Sequence, residues 1–352
     1  MAVVAEQFDY VIGVDTHAAQ HAYAVVGAAT GAVVARAQFP TSPAGLARAV
    51  EWIVTRAPGN RMVAVECVSS YGAGLARELG TRGERVCEVK PPKRAERTVR
   101  GKSDPIDAIA AARTVLGTDT DELLNPRTEG LRSALQVLLV ARRALNSRRT
   151  ADRNALNALV RTHHLGVDAR KALTDAQVRT IASWRHRPTD GPAIATIRDE
   201  ARRLATAVLT ATSELEQNHT ALERHVDELM PGLLRIHAVG PVTAATILTA
   251  WSHRGRVRSE AAFAALAGVA PLPASSGKTV RHRLNRSGDR QLNMALDVIA
   301  RVRTSRDPAT RHYVQRRTSE GRSPREIRRC LKRYIARQLY RHMTTLSAQP
   351  GG

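Results

Sequence analysis

The sequence has few cysteines, few aromatic residues and no long apolar run. Its three cysteines, Cys67, Cys87 and Cys330, are far apart and none belongs to a CxxC pair, which argues against a disulfide framework and against a zinc site. Aromatic residues make up 3% of the chain, which argues against a protein that binds single strands by stacking bases on aromatic side chains. Because no run of eighteen apolar residues and no signal-peptide pattern is present, we expect a soluble, cytoplasmic protein without a membrane partner.

Negative charge is also scarce. The 352 residues include 54 Lys and Arg against 32 Asp and Glu, which gives a formal net charge of +22. Such an excess favours a polyanionic partner, nucleic acid above all, although a merely basic, ribosomal-type protein would fit the charge alone. The stretch from Lys278 to Arg341 holds 19 Lys and Arg against 5 Asp and Glu, so the positive charge is concentrated towards the C-terminus.

Four acidic residues in the first third of the chain stand in informative contexts. Asp15 and Glu66 each end an apolar run, and Asp104 and Asp107 stand three apart where a helical pattern begins. Carboxylates at strand ends and on one helical turn can converge, and converged carboxylates repel each other unless a cation lies among them. Oxygen ligands of this kind suit Mg²⁺ or Mn²⁺. A metal pocket in a basic protein indicates phosphodiester chemistry on nucleic acid.

Each of these acidic residues also has a purely structural explanation. Asp104 before Pro105 would make a good N-cap, Asp107 would complement the helix dipole, and Glu66 could end a strand in solvent. Asp15 is harder to explain in this way, since an uncompensated carboxylate on a central strand is costly. The joint pattern therefore favours a shared site over four separate structural roles.

The N-terminal third predicts a mixed α/β domain with the order βββαβαβα, which is typical of a ribonuclease H-like fold. In that fold the first and fourth strands are neighbours, so Asp15 and Glu66 would meet at one face of the sheet. The elements are predicted from short apolar runs, turn residues and a helix-initiating Ser-Pro pair. Strands are expected at Phe8–Thr16, His21–Gly27, Ala32–Gln38, Met62–Glu66 and Arg85–Lys90, and helices at 42–56, Ala73–Leu79 and Asp104–Leu116.

Residues 128–230 have a different pattern. Apolar residues recur at alternating spacings of three and four from Ile194 to Leu229, which predicts a coiled coil. Asn218 falls in the apolar seam, where a polar residue can fix register and oligomeric state. With an earlier helix from Leu131 to Leu159, this predicts a long helical hairpin, packed either within one chain or against another.

The C-terminal part combines a possible phosphate-binding turn with a basic helix. Residues 236–245 have the outline of a helix-hairpin-helix, although Ala238 replaces the usual first glycine and an ordinary helix turn is about as compatible. A final helix begins with the capping box of Ser323 and Glu326. One face of this helix is apolar and includes Tyr334. The other face carries clustered positive charges that a phosphate backbone would relieve; the candidates for nucleic-acid binding there are Arg328, Arg329, Lys332 and Arg333.

Several motifs together resemble a known family. GVDTH at 13–17, Glu66, and KSDPIDA at 102–108 resemble the DEDD domain of IS110-family transposases, a domain that is similar to the RuvC resolvase. FAALAGVAP at 263–271, SSGK at 275–278 and NRSGDR at 285–290 resemble the C-terminal transposase domain of the same family. The resemblance runs over nearly the whole chain in the same order.

The resemblance implies a recombinase of a mobile element that acts on donor and target DNA. It also implies a structured guide RNA in at least some members, a dimer or tetramer, and a serine that attacks the DNA phosphate. Ser276 matches that serine, with the adjacent Ser275 as the alternative. A serine hydroxyl needs activation, which the carboxylate–metal site could supply. Four nearby cations could position the phosphate: Lys278, Arg281, Arg283 and Arg286.

The sequence thus predicts a RuvC-like domain at residues 1–120, a helical coiled-coil or oligomerisation region at 121–230, and a mostly helical transposase domain at 231–352. The favoured function is a Mg²⁺-dependent transposase that forms a phosphoserine–DNA intermediate. The main alternative is a RuvC-like nuclease that uses water as the nucleophile. A non-enzymatic architectural DNA binder is a third hypothesis, but it gives Asp15 no role.

Overall fold

The computed structural model describes residues 2–68, 70–89, 104–127, 129–273, 282–283 and 288–348. The chain forms two compact units, one of residues 1–128 with the segment 252–258, the other of residues 129–251 with 259–352. The first unit is mixed α/β and the second mostly helical, which confirms the predicted fold class at this level. The predicted boundaries near residues 120 and 230 stay a prediction. Within the described ranges, no helix is both long and apolar enough to cross a membrane.

The first unit is built on a five-stranded sheet with the order β3-β2-β1-β4-β5. The neighbours β1 and β4 run parallel, which confirms the predicted adjacency of the first and fourth strands. The strands are β1 (Tyr10–Thr16), β2 (Gln20–Gly27), β3 (Val33–Pro40), β4 (Arg61–Glu66) and β5 (Arg85–Val89). The helices are α1 (Val4–Gln7), α2 (Pro43–Arg56), α3 (Ala73–Thr81) and α4 (Asp104–Leu116), followed by a 3₁₀ turn at Thr120–Glu122.

Each face of the sheet carries its own core because side chains alternate along a strand. Ile12 and Val14 of β1 belong to the cluster that includes residues of α2 and α3. Val11 belongs to the opposite cluster, which includes residues of α4. Between these positions, Gly13 allows α4 to approach closely: a Cβ there would lie 1.9 Å from the carbonyl oxygen of Ala108.

The segment 252–258 belongs to the first unit although it follows the long helices in sequence. Arg256 is 8% exposed, and its guanidinium lies 2.5 Å from Oε2 of Glu88 on β5. The same guanidinium donates to the backbone carbonyl of Asn125, and Arg258 pairs with Glu122. A buried, hydrogen-bonded ion pair therefore anchors this late segment beside β5.

The described residues of the second unit form helices and a short two-stranded ladder. Its helices are α5 (Leu131–His163), α6 (Asp175–Ala182), α7 (Pro192–Leu229), α8 (Pro241–Trp251), α9 (Glu260–Leu266), α10 (Arg290–Arg306), α11 (Pro308–Ser319) and α12 (Pro324–Leu346). A 3₁₀ turn lies at Leu233–Arg235, and β6 (Leu272–Pro273) pairs antiparallel with β7 (His282–Arg283).

The long helices α5 and α7 pack against each other within the chain, with Leu156 and Val160 of α5 in the same core cluster as Leu204 and Val208 of α7. The sequence pattern placed Leu229 at the end of the apolar seam. In the structure Leu229 is only half-buried, and Val226 is the fully buried residue at this end. Because one core cluster contains residues of both helices of the same chain, the helical hairpin is formed within one chain.

Asn218 lies in this seam, where it is 7% exposed. Its Nδ2 donates to the carbonyl oxygen of Leu138 (3.0 Å) and its Oδ1 accepts from Arg142 (3.3 Å). Arg142 also donates to the carbonyl oxygen of Leu215 (3.0 Å), and burial lowers the pKa of this guanidinium. The polar residue expected in the seam thus joins the two helices by hydrogen bonds.

The last helix, α12, has the predicted capping box: the Ser323 hydroxyl accepts from the backbone N–H of Glu326, and the Glu326 carboxylate accepts from the N–H of Ser323. Its apolar face is buried at Ile327, Leu331 and Leu339. The prediction was wrong for Tyr334, which is 59% exposed, because its position lies at the edge of the stripe, three residues after Leu331.

Candidate active site

Asp15 and Glu66 lie side by side at the ends of two central strands. Gly13 pairs with Ala64 and Val14 with Val65 in the parallel register of β1 and β4. The next residue of each strand, Asp15 in β1 and Glu66 in β4, is therefore a neighbour of the other. The side chains of aligned residues in adjacent strands point to the same face. Asp15 is 7% and Glu66 5% exposed. The structure thus places two carboxylic acids together in a largely buried position.

The sheet face that carries this pair is the one covered by α4. Val11 and Ala64 belong to the core cluster that includes Ala112 of this helix, and side chains two residues apart on a strand share a face. Asp15 and Glu66 therefore lie on the face of the sheet that α4 covers. The Thr16 hydroxyl donates to the carbonyl oxygen of Glu66 at 3.2 Å, which links the two strand ends.

Helix α4 runs so that its first residues lie towards these strand ends. Ala108 packs with Ala22, which pairs with Asp15 on β1. Later residues of the helix, Ala112 and Val115, pack at the beginning of the strands, where Val11 lies. The start of α4, with Asp104 and Asp107, is therefore directed towards the carboxylate pair.

The four predicted carboxylates are only partly brought together. Asp107 is half-buried, and among the residues that the structure describes no group of three His, Cys, Asp or Glu side chains is close enough to hold a metal ion. The side chain of Asp104 lies outside the described part of the chain. Asp15 and Glu66 form the pair, and Asp107 does not join them in a three-residue cluster.

The chemistry of this pair fits a hard divalent cation. Mg²⁺ commonly binds through one or two protein carboxylates and completes its coordination with water and substrate phosphate. Two adjacent, largely buried carboxylates would repel each other if both were ionised without a counter-charge. Asp15 and Glu66 therefore provide a suitable donor set for Mg²⁺ or Mn²⁺.

His17 is a member of the site that sequence reasoning did not select. Its Nε2 lies 3.0 Å from Oδ2 of Asp15, and its backbone N–H donates to Nδ1 of His21 at 3.2 Å. His21 is buried, and burial lowers the pKa of its imidazole. The sequence shows only that His17 follows Asp15 by two residues, just beyond the end of a strand. The alternation of side chains along the strand does not predict the direction of the backbone after it ends, so the contact with Asp15 could not be foreseen.

The predicted serine site lies mostly outside the described residues. This holds for Ser275, Ser276, Lys278, Arg281 and Arg286. Arg283 is placed in β7 through its backbone. The structure neither joins these residues to the carboxylate pair nor separates them from it.

The basic face of α12 is described and mostly exposed. Arg328, Arg329 and Arg333 are exposed. Hydrogen bonds with Ser323 lower the pKa of Glu326, and the nearby charges of Arg322 and Arg329 lower it further. Lys332 instead donates to Oδ1 of Asn293 at 2.7 Å. Three of the four predicted contacts are thus available at the surface, while Lys332 is engaged within the second unit.

The turn before α8 keeps only part of the helix-hairpin-helix pattern. Ala238 has a φ of 68°, the left-handed conformation that favours the glycine absent here. The N–H of Gly240 donates to the Thr243 hydroxyl at 3.0 Å, so this donor already has an acceptor within the turn.

Two family models match separate parts of the chain. A family model of DEDD transposases of IS110 type matches residues 12–165, a range that includes all four predicted carboxylates. A second model, described as the transposase IS116/IS110/IS902 family, matches residues 231–315, a range that includes Ser275 and Ser276. The chain belongs to the IS110 family of transposases.

A relative from Streptomyces coelicolor, named as an uncharacterized 43.6 kDa protein of the insertion element IS110, is 28% identical over 124 residues. The aligned stretch covers 33% of this chain and 31% of that relative. The positive charge and the paired carboxylates are consistent with that family.

Proposed function

We propose that the protein is the transposase of an insertion sequence, which breaks and rejoins phosphodiester bonds of DNA with a divalent metal ion. The observation that carries this proposal is the pairing of Asp15 and Glu66, each more than nine-tenths buried, at the ends of two parallel central strands. A structural role would not require two acidic side chains to be buried next to each other, since this is costly without a cation. The strand order supports a RuvC-like, ribonuclease H-like domain.

Asp15 and Glu66 would hold the ion, with Asp104 and Asp107 at the start of α4 as the further proposed ligands. Bound Mg²⁺ or Mn²⁺ would activate the nucleophile and stabilise the departing oxygen. His17 would keep the Asp15 carboxylate in a fixed orientation through their 3.0 Å contact. The low exposure of the pair would exclude bulk water and so strengthen these electrostatic interactions.

Ser276, or Ser275 beside it, is the proposed nucleophile. Its Oγ would form a bond to phosphorus while the P–O bond to the departing strand breaks, and that strand would leave as a hydroxyl that takes up a proton in place of the one lost by serine. The linkage to serine conserves the bond energy for rejoining to another strand. Four cations would position the phosphate and neutralise developing charge: Lys278, Arg281, Arg283 and Arg286.

The wider assembly follows from the family. Donor and target DNA would be the substrates, a structured RNA from the element would guide the choice of site, and the protein would act as a dimer or tetramer in the cytoplasm. The α5–α7 hairpin is the proposed oligomerisation element, and its exposed outer surface would contact the partner chain. The exposed Arg328, Arg329 and Arg333, together with Lys332, would contact nucleic-acid backbone.

A covalent adduct distinguishes this mechanism from hydrolysis by water. The full chain, incubated with Mg²⁺ and DNA carrying the element ends, should yield a protein–DNA adduct that maps to Ser276 or Ser275. Asp15→Asn and Glu66→Gln should abolish cleavage, whereas Glu223→Gln on the exposed surface of α7 should not.

The serine variants decide between the two candidate functions. If Ser276→Ala and Ser275→Ala both still cleave DNA and no adduct forms, the protein is a RuvC-like nuclease that uses water. If Asp15→Asn cleaves as well as the unmodified chain, the carboxylate site is not catalytic and the proposed function fails.

A further inference from the structure

The second unit has a groove that the proposed catalytic chemistry does not use. Two cavities of about 520 and 330 Å³ adjoin each other, since both are lined by Arg303 of α10 and Gln338 of α12. The larger cavity extends to the turn at residues 232–237, and the smaller extends along α12 to Tyr334. We call this continuous depression the α10–α12 groove.

The walls of the groove are rich in cations. The larger cavity is lined by Arg235 and Arg303, and the smaller by Arg303, Arg337 and Arg341. Among the described residues that line the two cavities, Asp307 is the only carboxylic acid. The positive charge is therefore distributed along the length of the groove, as a ligand with repeated negative charges would require.

Arg303 is held in place at the centre of the groove. Its Nε donates to the carbonyl oxygen of His237 at 3.2 Å, and its Nη1 donates to Oε1 of Gln338 at 2.8 Å. These two contacts fix the guanidinium between the turn and α12. A guanidinium fixed in this way loses little conformational entropy when it binds a phosphate.

Arg337 and Arg341 are kept on the same side by Glu260 of α9. Their guanidinium groups lie 2.7 and 2.5 Å from its carboxylate, and hydrogen bonds from Arg341 and Arg337 lower the pKa of Glu260 to about 2. Arg341 is still 64% exposed, so it can contact a ligand without losing this support.

The groove ends at an exposed aromatic side chain. Tyr334 is 59% exposed and stands edge-on to Tyr313, with ring centroids 6.1 Å apart. A large exposed aromatic ring in a basic groove provides a surface on which a base or a sugar can pack. The plain structural explanation, a side chain at the edge of an amphipathic helix, does not account for the arginines beside it.

We propose that the α10–α12 groove binds a nucleic-acid strand, whose phosphodiester groups contact Arg235, Arg303 and Arg341 and whose base or sugar packs on Tyr334. This inference rests on the proposed function in that it takes nucleic acid as the partner. It goes beyond that function because none of these four residues belongs to the carboxylate site or to the serine segment, and of the four only Arg341 lies on the predicted basic face of α12.

Salt-dependent binding of the full chain to a DNA duplex and to a structured RNA of equal length tests the groove. The groove variant is Arg235→Gln combined with Arg341→Gln, which leaves Arg303 and its structural contacts intact and leaves Glu260 paired with Arg337. The control is Arg148→Gln combined with Arg224→Gln, which removes the same charge from exposed positions on α5 and α7. Tyr334→Ala is measured in parallel.

The groove variant should bind at least about tenfold more weakly near 0.1 M salt, and its salt slope should fall by about 2 if two phosphate contacts are lost. The control should change affinity less than about twofold. Tyr334→Ala should weaken binding about fivefold or more without a change in salt slope. A loss confined to the DNA or to the RNA identifies which of the two occupies the groove.

Two results overturn the inference: a groove variant that binds both nucleic acids as tightly as the unmodified chain, or a control variant that is weakened as much as the groove variant. Either result leaves the proposed function standing if the unmodified chain still cleaves DNA. Conversely, cleavage that survives Asp15→Asn refutes the proposed function and leaves the binding measurement on the groove valid.

Discussion

The Nε2 atom of His17 lies 3.0 Å from Oδ2 of Asp15, while the backbone of His17 is held by the ring of buried His21. Because Nδ1 of His21 accepts the N–H of His17, the neutral ring of His21 carries its proton on Nε2. The backbone of His17 is thus fixed at the end of β1. From there its imidazole can orient one oxygen of the Asp15 carboxylate.

Replacing His17 tests this orienting role. Partners that hold a metal-binding carboxylate typically affect metal affinity or activity by about 10- to 100-fold. We expect His17→Ala to reduce DNA cleavage by about that factor and to raise the Mg²⁺ concentration needed for half-maximal rate. His219→Ala, on the exposed surface of α7, is the control. An unchanged Mg²⁺ dependence would show that His17 does not support Asp15.

Adding one methyl group at Gly13 should displace α4. The new Cβ would lie 1.9 Å from the carbonyl oxygen of Ala108 and 2.6 Å from the N atom of Ala112, and backbone atoms cannot move aside without shifting the helix. We expect Gly13→Ala to destabilise the first unit by about 3 kcal/mol and to reduce cleavage, since α4 carries Asp104 and Asp107.

Gly80→Ala in α3 is the matched control for this substitution, because nothing lies within 4 Å of the added Cβ. It should be neutral or stabilise by up to about 1 kcal/mol. Denaturant unfolding of both variants gives the comparison. Equal unfolding midpoints for the two would contradict the close approach of α4 to β1.

The polar contact of Asn218 and Arg142 between α5 and α7 should contribute more to the free energy of unfolding than the sum of its single hydrogen bonds. Asn218→Leu removes the acceptor of Arg142 and the donor to Leu138, and each polar group left unpaired in a buried place costs about 1–3 kcal/mol. The double variant Asn218→Leu with Arg142→Leu should recover part of this loss because fewer polar groups remain unpaired. Gln217→Leu, exposed beside it, should change stability by less than about 0.5 kcal/mol. If denaturant unfolding shows that the losses of stability caused by the two substitutions simply add up, Asn218 and Arg142 are not energetically coupled.

Ala238 is a position where glycine should improve stability. Its φ of 68° costs a residue with a Cβ about 1–2 kcal/mol, and part of the gain from glycine is offset by the greater entropy of the unfolded chain. We expect Ala238→Gly to stabilise the second unit by up to about 1 kcal/mol in thermal or denaturant unfolding. Ala244→Gly, buried inside α8, should lower stability by about 1 kcal/mol. A loss at Ala238 would show that the turn does not have the left-handed conformation.

The sequence predicted the sheet and the carboxylate pair because both follow from local patterns. Apolar runs defined β1 and β4, and the strand order of the expected fold predicts that Asp15 and Glu66 are neighbours. A central strand that is buried on both faces appears in the sequence as a continuous apolar run, which can be recognised without knowledge of distant contacts. The same is true of the capping box at Ser323, which needs only four residues to form.

Contacts between distant residues were not predictable in this way. Nothing near Arg256 indicates that it pairs with Glu88, since the two are separated by both long helices in sequence. The contact of His17 with Asp15 depends on where the chain turns after β1, and the exposure of Tyr334 depends on which side of α12 is covered. Each of these is decided by packing rather than by periodicity.

The pairing of Arg256 with Glu88 bears on how the first unit can be isolated. A fragment that ends at residue 128 would omit a piece of its own fold, and the carboxylate of Glu88 and the carbonyl of Asn125 would both lose their guanidinium partner. A single cut therefore cannot release this unit intact. Addition of a peptide corresponding to residues 252–258 in trans, or its fusion to the end of the fragment, would be needed to restore the missing contacts.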